Sequence, residues 1–202
     1  MRIISGSARG TKLFTLEGIN TRPTLDRVKE SLFNIIQEYV TNSYFIDLFS
    51  GSGSIGLEAA SRGAKEVILC DNSKDAVQII KKNIDKTHLQ ERVRLYNLDY
   101  KTLLKEKIVK TPDIIYIDPP YNSNFAEESV KIILERKLAN ENTKIIIETD
   151  DKKVIDNLKK MNINIVDQRK YGRAILVFLK LGREKENGNI WTTRIFGGSN
   201  WK

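Results

Sequence analysis

From residue 44 onward, short apolar runs alternate with amphipathic stretches, and this alternation constrains the fold more than any other feature of the chain. Residues 44–49, 66–71, 93–98, 113–118, 144–148, 163–170 and 173–181 read as strands. Helical patterns lie between the first six, at about 54–62, 73–87, 100–107, 124–138 and 151–160. Ile114-Ile115-Tyr116-Ile117 has no polar side, as expected of a strand covered by helices on both faces of a parallel sheet. Only Tyr171-Gly172 separates the last two runs, which is too short for a crossover helix, so these two must pair as an antiparallel hairpin. The expected fold is α/β: a doubly wound, seven-stranded, mostly parallel sheet ending in an antiparallel hairpin strand.

Ahead of the sheet, Gly6, Gly10 and Gly18 interrupt the short apolar pairs Ile3-Ile4 and Leu13-Phe14, so residues 1–22 read as a small hairpin or extended arm. Pro23 opens a helix with Thr24 as its expected N-cap. Along it Leu25, Val28, Leu32, Ile35, Ile36 and Tyr39 recur at three- and four-residue steps, giving one apolar face and one basic face. The expected organisation is an arm and helix over 1–40, the sheet over 41–182, and a tail over 183–202. That tail is rich in Asn and Gly, carries Trp191 and Trp201, and reads as a disordered end or a partner-binding segment.

Charge is distributed unevenly. The chain has 202 residues and a formal charge of +8, from 34 Lys and Arg against 26 Asp and Glu. Residues 1–30 hold six basic side chains against three acidic ones, and residues 180–202 hold five against two, so the ends carry +3 each and the middle only +2. Such ends either solvate the surface or meet a polyanion. Cys70 is the single cysteine and His88 the single histidine, which leaves no disulfide framework and no metal-binding cluster. No apolar run approaches the roughly 20 residues of a membrane span, and Met1-Arg2-Ile3-Ile4-Ser5-Gly6 lacks the apolar stretch of a signal peptide, so a cytoplasmic protein is expected.

In open α/β sheets ligands bind at the carboxyl ends of the strands. The first strand runs into Asp47-Leu48-Phe49-Ser50-Gly51-Ser52-Gly53-Ser54-Ile55-Gly56, whose glycines have G-x-G-x-x-G spacing. Glycine there allows a sharp turn and a close approach of backbone N–H groups to a ligand. Asp71 closes the second strand 20 residues after Gly51, placed to accept hydrogen bonds from ribose hydroxyls. The pair fits a nicotinamide dinucleotide and S-adenosylmethionine equally well. The fourth strand ends in Asp118-Pro119-Pro120-Tyr121-Asn122. Two prolines have no N–H and hold the backbone extended, so a carboxylate, a carbonyl and an aromatic ring stay together. Asp118 and the Pro119 carbonyl can accept the two hydrogens of an exocyclic amino group while Tyr121 stacks on the base.

The glycine loop and Asp118-Pro119-Pro120-Tyr121 together resemble the class I S-adenosylmethionine-dependent methyltransferases that act on a nucleobase amino group. Arg2-Ile3-Ile4-Ser5-Gly6, Arg9-Gly10, Arg22-Pro23-Thr24, Asp26-Arg27-Val28-Lys29-Glu30, Gly56-Leu57-Glu58-Ala59 and Ser61-Arg62-Gly63-Ala64 narrow the resemblance to the bacterial 16S rRNA guanine-N2 methyltransferase family, over roughly residues 1–181. This resemblance implies that Asp47, Phe49, Gly51, Ser52 and Gly53 cradle the methionine part of the cofactor. Asp71 and Asn72 then bind the ribose, and Asp99 and Tyr100 border the adenine. It makes Asp118, Pro119, Pro120 and Tyr121 the catalytic holder of a flipped guanine, and Arg9, Arg22, Thr24 and Arg27 the contacts to RNA. The implied partner is 16S rRNA within the small ribosomal subunit or an assembly intermediate; no metal is expected, and a monomer is the default with the oligomeric state left open. Three rival readings remain. A DNA adenine-N6 or cytosine-N4 methyltransferase would share Asp118-Pro119-Pro120-Tyr121 but usually carries a recognition domain for which 202 residues leave no room. A nicotinamide-dependent dehydrogenase, or a non-catalytic RNA-binding module, leaves Asp118 without a role.

Overall fold

The computed structural model describes residues 1–15, 23–120, 123–161 and 163–181, with only the backbone described for residues 23–25. Seven strands form one sheet: β1 (Tyr44–Asp47), β2 (Glu66–Cys70), β3 (Val93–Tyr96), β4 (Ile114–Ile117), β5 (Lys144–Thr149), β6 (Ile165–Tyr171) and β7 (Ala174–Leu179), in the order β3-β2-β1-β4-β5-β7-β6. β1 to β5 pair in parallel, whereas β7 runs antiparallel to both β5 and β6. The doubly wound, mostly parallel sheet with its antiparallel terminal hairpin is therefore present as expected. The hairpin turn falls one residue later than the sequence suggests: Tyr171 pairs with Ala174, and Gly172, at φ +61°, begins a two-residue loop.

Helices cover both faces. α1 (Pro23–Val40), α2 (Ser54–Ser61) and α3 (Lys74–Thr87) pack with the amino-terminal hairpin on one side, burying Phe33, Phe45, Leu57, Ile80, Tyr116 and Phe178. On the other side lie α4 (Tyr100–Thr102), which widens into a π-helical turn at Leu103–Lys107, and then α5 (Phe125–Glu135) and α6 (Lys152–Lys160). The sequence predicts one ordinary helix over 100–107. Burial of Leu103, Leu104 and Ile108 in a short connection is met instead by the wider turn. α1 begins at Pro23, so Thr24 lies within its first turn and not at the cap; a proline, with no N–H to leave unpaired, suits that first position. His88 takes the left-handed C-cap of α3 at φ +56° and Cys70 is a buried core side chain. Among the described residues no helix is long and apolar enough to cross a membrane.

The arm folds back as a hairpin. Arg2 pairs with Lys12, and Ile3 N–H donates to Thr11 O at 3.0 Å. Gly6, at φ +86°, lies so close to α2 that a Cβ there would come within 1.8 Å of the Ser61 carbonyl oxygen. Glu58, fully buried on α2, anchors the arm: it accepts from Ile4 N–H at 2.7 Å and Ser5 N–H at 3.0 Å, and from Arg62 Nε at 2.7 Å. Lys29 Nζ lies 3.5 Å from the same carboxylate and donates to Arg2 O at 2.6 Å. Lys29 is only 2 % exposed, so one of the six amino-terminal cations is an internal ion-pair partner and not part of a basic surface. Arg22, Gly18 and the tail 183–202 lie outside the described residues.

Candidate active site

β1 is flanked by β2 on one side and β4 on the other, so the strand order reverses between β1 and β4, and the carboxyl ends of these two strands meet at the switch point. Asp47 closes β1 beside Tyr116 of β4, and Asp118 follows β4 directly.

Asp47 is 1 % exposed. Its Oδ2 accepts from Gly56 N–H at 3.1 Å, which satisfies a first-turn donor of α2 that Gly53, at the N-cap position, has no side chain to reach. Glycine suits position 56, because a Cβ there would come within 2.1 Å of Leu69 Cδ2 and 3.0 Å of Val67 Cγ1, so the buried side chains would have to shift. The second oxygen, Oδ1, is buried with no hydrogen-bond partner. Burial, reinforced by the charge of Asp71 and opposed by the Gly56 N–H, pushes the Asp47 carboxyl up to about 7. A buried carboxylate with one unsatisfied oxygen calls for a cationic or hydrogen-bond-donating ligand group.

The loop that follows is held from both sides. Ser50 Oγ donates to Asp47 O at 2.9 Å and accepts from Cys70 N–H at 3.0 Å. Gly51, at φ +56°, donates its N–H to Asp71 Oδ2 at 2.8 Å, while Asp71 Oδ1 accepts from Ser73 N–H at 2.9 Å. Each Asp71 oxygen keeps a lone pair for a further donor. Asn72 is exposed beside it. Asp99, also exposed, caps α4 by accepting from Lys101 N–H at 2.8 Å. Tyr100 is buried: its hydroxyl donates to Glu128 at 2.5 Å, and its ring packs 5.0 Å from Phe49 and 5.1 Å from Phe125. It forms a wall of the loop region and presents no free polar group.

Beyond β4, Asp118 is exposed at the surface, although its carboxyl is partly desolvated. That desolvation, then the charges of Glu148, Asp47 and Asp150, raises its carboxyl well above the usual range. The Pro119 carbonyl accepts no hydrogen bond among the described residues, whereas that of Pro120 accepts from Ser123 Oγ at 2.7 Å. Tyr121 lies outside the described residues. The structure thus brings Asp47, Ser50, Gly51, Gly53, Asp71 and Asp118 to one end of the sheet. Arg9 and Arg27 are exposed on the hairpin and on α1, and neither guanidinium has a partner among the described residues.

Three residues that sequence reasoning passes over belong to this region. Glu148, near the end of β5, accepts from the buried Tyr116 hydroxyl. Inspecting the carboxyl end of the fifth strand as closely as the first four would have found it. Glu128 receives the Tyr100 hydroxyl. Asn83 of α3, fully buried, accepts from Phe14 N–H at 2.7 Å and donates to Phe14 O at 3.0 Å and to Ser52 O at 2.9 Å, tying the arm to the glycine loop. No local pattern marks it.

Comparison with known proteins agrees with this geometry. The family model described as conserved hypothetical protein 95 matches residues 1–180. Ribosomal RNA small subunit methyltransferase D of Haemophilus influenzae is 37 % identical over 179 residues, covering 85 % of this chain and 93 % of the relative. The protein of the same name from Escherichia coli is 32 % identical over 151 residues, 74 % of this chain and 75 % of the relative. Among solved structures, the "putative methyltransferase yhhF" of Escherichia coli superposes with a TM-score of 0.76 at 27 % identity, covering 89 % of this chain and 97 % of that one. The chain is a methyltransferase and belongs to the conserved hypothetical protein 95 family, with the ribosomal RNA small subunit methyltransferases D among its relatives.

Proposed function

We propose that this chain moves a methyl group from S-adenosylmethionine to the exocyclic N2 of a guanine in small-subunit ribosomal RNA. The observation that carries the reading is the pairing of two unlike carboxylates at one switch point. Asp47 is buried with an unsatisfied oxygen, suited to a cationic cofactor, and Asp118 stands open beside an unpartnered Pro119 carbonyl, suited to a base amino group. The relatives' names supply the substrate class: they are enzymes of the small-subunit RNA.

Asp47 would receive the amino group of the cofactor's methionine part, with Phe49, Gly51, Ser52 and Gly53 lining the turn around it. Asp71 and Asn72 would hold the ribose hydroxyls, and Asp99 and Tyr100 would border the adenine. S-adenosylmethionine, when bound, supplies an electrophilic methyl group. Burial and the nearby charges of Glu148, Asp47 and Asp150 disfavour ionisation of Asp118, and a positive charge bound at this end of the sheet would relieve that cost and favour the carboxylate forms. Asp118 and the Pro119 carbonyl would accept the two amino hydrogens and aim the nitrogen lone pair, Pro120 would stiffen the turn, and Tyr121 would stack on the ring. Positioning of this kind can lower a barrier by about 7–11 kcal/mol. The guanine must leave its stack, at a few kcal/mol, which favours a loop nucleotide.

Arg9, Arg22, Thr24 and Arg27, within the arm and helix over 1–40, would grip the RNA backbone, with the sheet over 41–182 as the catalytic body and 183–202 as a tail. The setting would be the cytoplasm, with 16S rRNA in the small subunit or its assembly intermediate. Calorimetry tests the cofactor: binding of S-adenosylmethionine and none of NAD is expected, and the reverse would end the proposal. Asp118→Ala should keep that binding and lose tritiated-methyl transfer to small-subunit RNA; retained transfer would remove Asp118 from its role.

A further inference from the structure

The base pocket has a second carboxylate. Ile117 of β4 and Ile147 of β5 are register partners, so Asp118 and Glu148 are neighbours at the ends of adjacent parallel strands. Glu148 is on the same face as Tyr116, whose hydroxyl donates to Glu148 Oε2. Tyr116 is 1 % exposed, packed in the core, so this bond ties the carboxylate to a buried ring. The other oxygen, Oε1, accepts no hydrogen bond among the described residues, and the Glu148 side chain is only half-buried. The charge of Glu148 helps to raise the Asp118 carboxyl, in keeping with their adjacent places at the ends of β4 and β5.

Two acceptors side by side suit a ligand that presents two donors side by side. Among bases with an exocyclic amino group, guanine alone has a ring N–H next to it. Adenine places the bare N1 lone pair beside its amino group, and cytosine the bare N3 lone pair. Burial raises the Glu148 carboxyl while the Tyr116 hydroxyl, donating to it, favours its ionised form, as a guanine N1–H would too; the carboxylate facing an adenine or cytosine lone pair is instead repelled and left without a partner, a mismatch that costs more than a missing contact. Resting on the guanine-N2 reading above, we propose that Glu148 is the specificity-determining residue of this site, its Oε1 accepting guanine N1–H while Asp118 and the Pro119 carbonyl hold the neighbouring amino group.

The test uses the full chain and reconstituted small subunits whose RNA carries, at the modified position mapped first by mass spectrometry, either guanine or 2-aminopurine. The analogue keeps the 2-amino group and replaces N1–H by a lone pair; it also lacks the 6-oxygen, so the change in ratio on altering Glu148, not the wild-type ratio alone, reads the N1 contact. The wild-type protein should favour guanine in kcat/KM by about a hundredfold or more. Glu148→Gln keeps an acceptor for Tyr116 and can turn its amide N–H toward the analogue's lone pair, so it should lose rate on guanine and narrow the ratio by about tenfold or more. An unchanged Kd for S-adenosylmethionine shows that the variant is folded; if that Kd is lost, Glu148→Asp, which withdraws the carboxylate by one methylene, is read in the same way. Wild-type rates within about threefold of each other, or a ratio that neither variant changes, would overturn the role of Glu148. No transfer to guanine by the wild-type protein would overturn the guanine-N2 reading itself, which is a separate result.

Discussion

Asp47→Asn should make the ligand-free protein's stability much less dependent on pH. The substitution keeps the shape of the side chain and an oxygen for the Gly56 N–H, but removes the ability to ionise. In the fold the Asp47 carboxyl is pushed up to about 7 from an ordinary 3.8, because a side chain 1 % exposed loses its water. With the folded value above the unfolded one, the contribution of Asp47 to stability is complete below about pH 4 and is lost as pH rises through 7. One unit is worth 1.36 kcal/mol, so the loss is about 2 kcal/mol at pH 5 and about 4 kcal/mol at pH 8. The variant escapes both losses. Its own cost, an amide N–H2 buried without a partner, does not vary with pH and cancels in the comparison. Urea denaturation of both proteins at pH 5 and pH 8 should show the stability difference, variant minus wild type, moving in the variant's favour by about 2.5 kcal/mol over that range. Parallel stability profiles would show that Asp47 titrates as an ordinary carboxylate, and would remove the argument that it awaits a cationic partner.

Two further outcomes follow from the arm. Glu58→Ala leaves the Lys29 ammonium buried and the Ile4 and Ser5 amides unpaired, so it should cost about 3–5 kcal/mol in urea denaturation and speed hydrogen exchange at those two amides; a loss under about 1 kcal/mol would contradict the anchoring role. Charge reversal at Arg9 and Arg22 together should weaken binding to small-subunit RNA and flatten the slope of log K against log salt, whereas an unchanged slope would refute phosphate contact.

The sheet was legible because most strands, β6 excepted, are short apolar runs between turn signals, and because the last two are too close to be anything but a hairpin. The glycine loop was legible for a stereochemical reason: Gly51 and Gly53 adopt positive φ, and a Cβ at Gly56 would displace Leu69. Partnerships across the chain were not legible. Lys29 counts as a surface cation until Glu58, 29 residues later, is seen to neutralise it inside the fold. Asn83 joins Phe14 to Ser52 across separations of 69 and 31 residues, which no local periodicity encodes. Glu148 lies near the end of its strand, as Asp47 ends its own and Asp71 follows its own, but its place beside Asp118 depends on which strands are neighbours, and strand order is a property of the sheet. The π-helical turn at Leu103–Lys107 follows from packing against α5, not from the residues' own preferences.

The most direct measurement is mass spectrometry of nuclease digests of 16S rRNA from cells with and without the gene for this chain. The account predicts one guanosine that carries an N2-methyl group in the first and none in the second, with the mark restored by the wild-type protein and not by Asp118→Ala. Identical digests, or loss of a methyl group from any other base or atom, would contradict it.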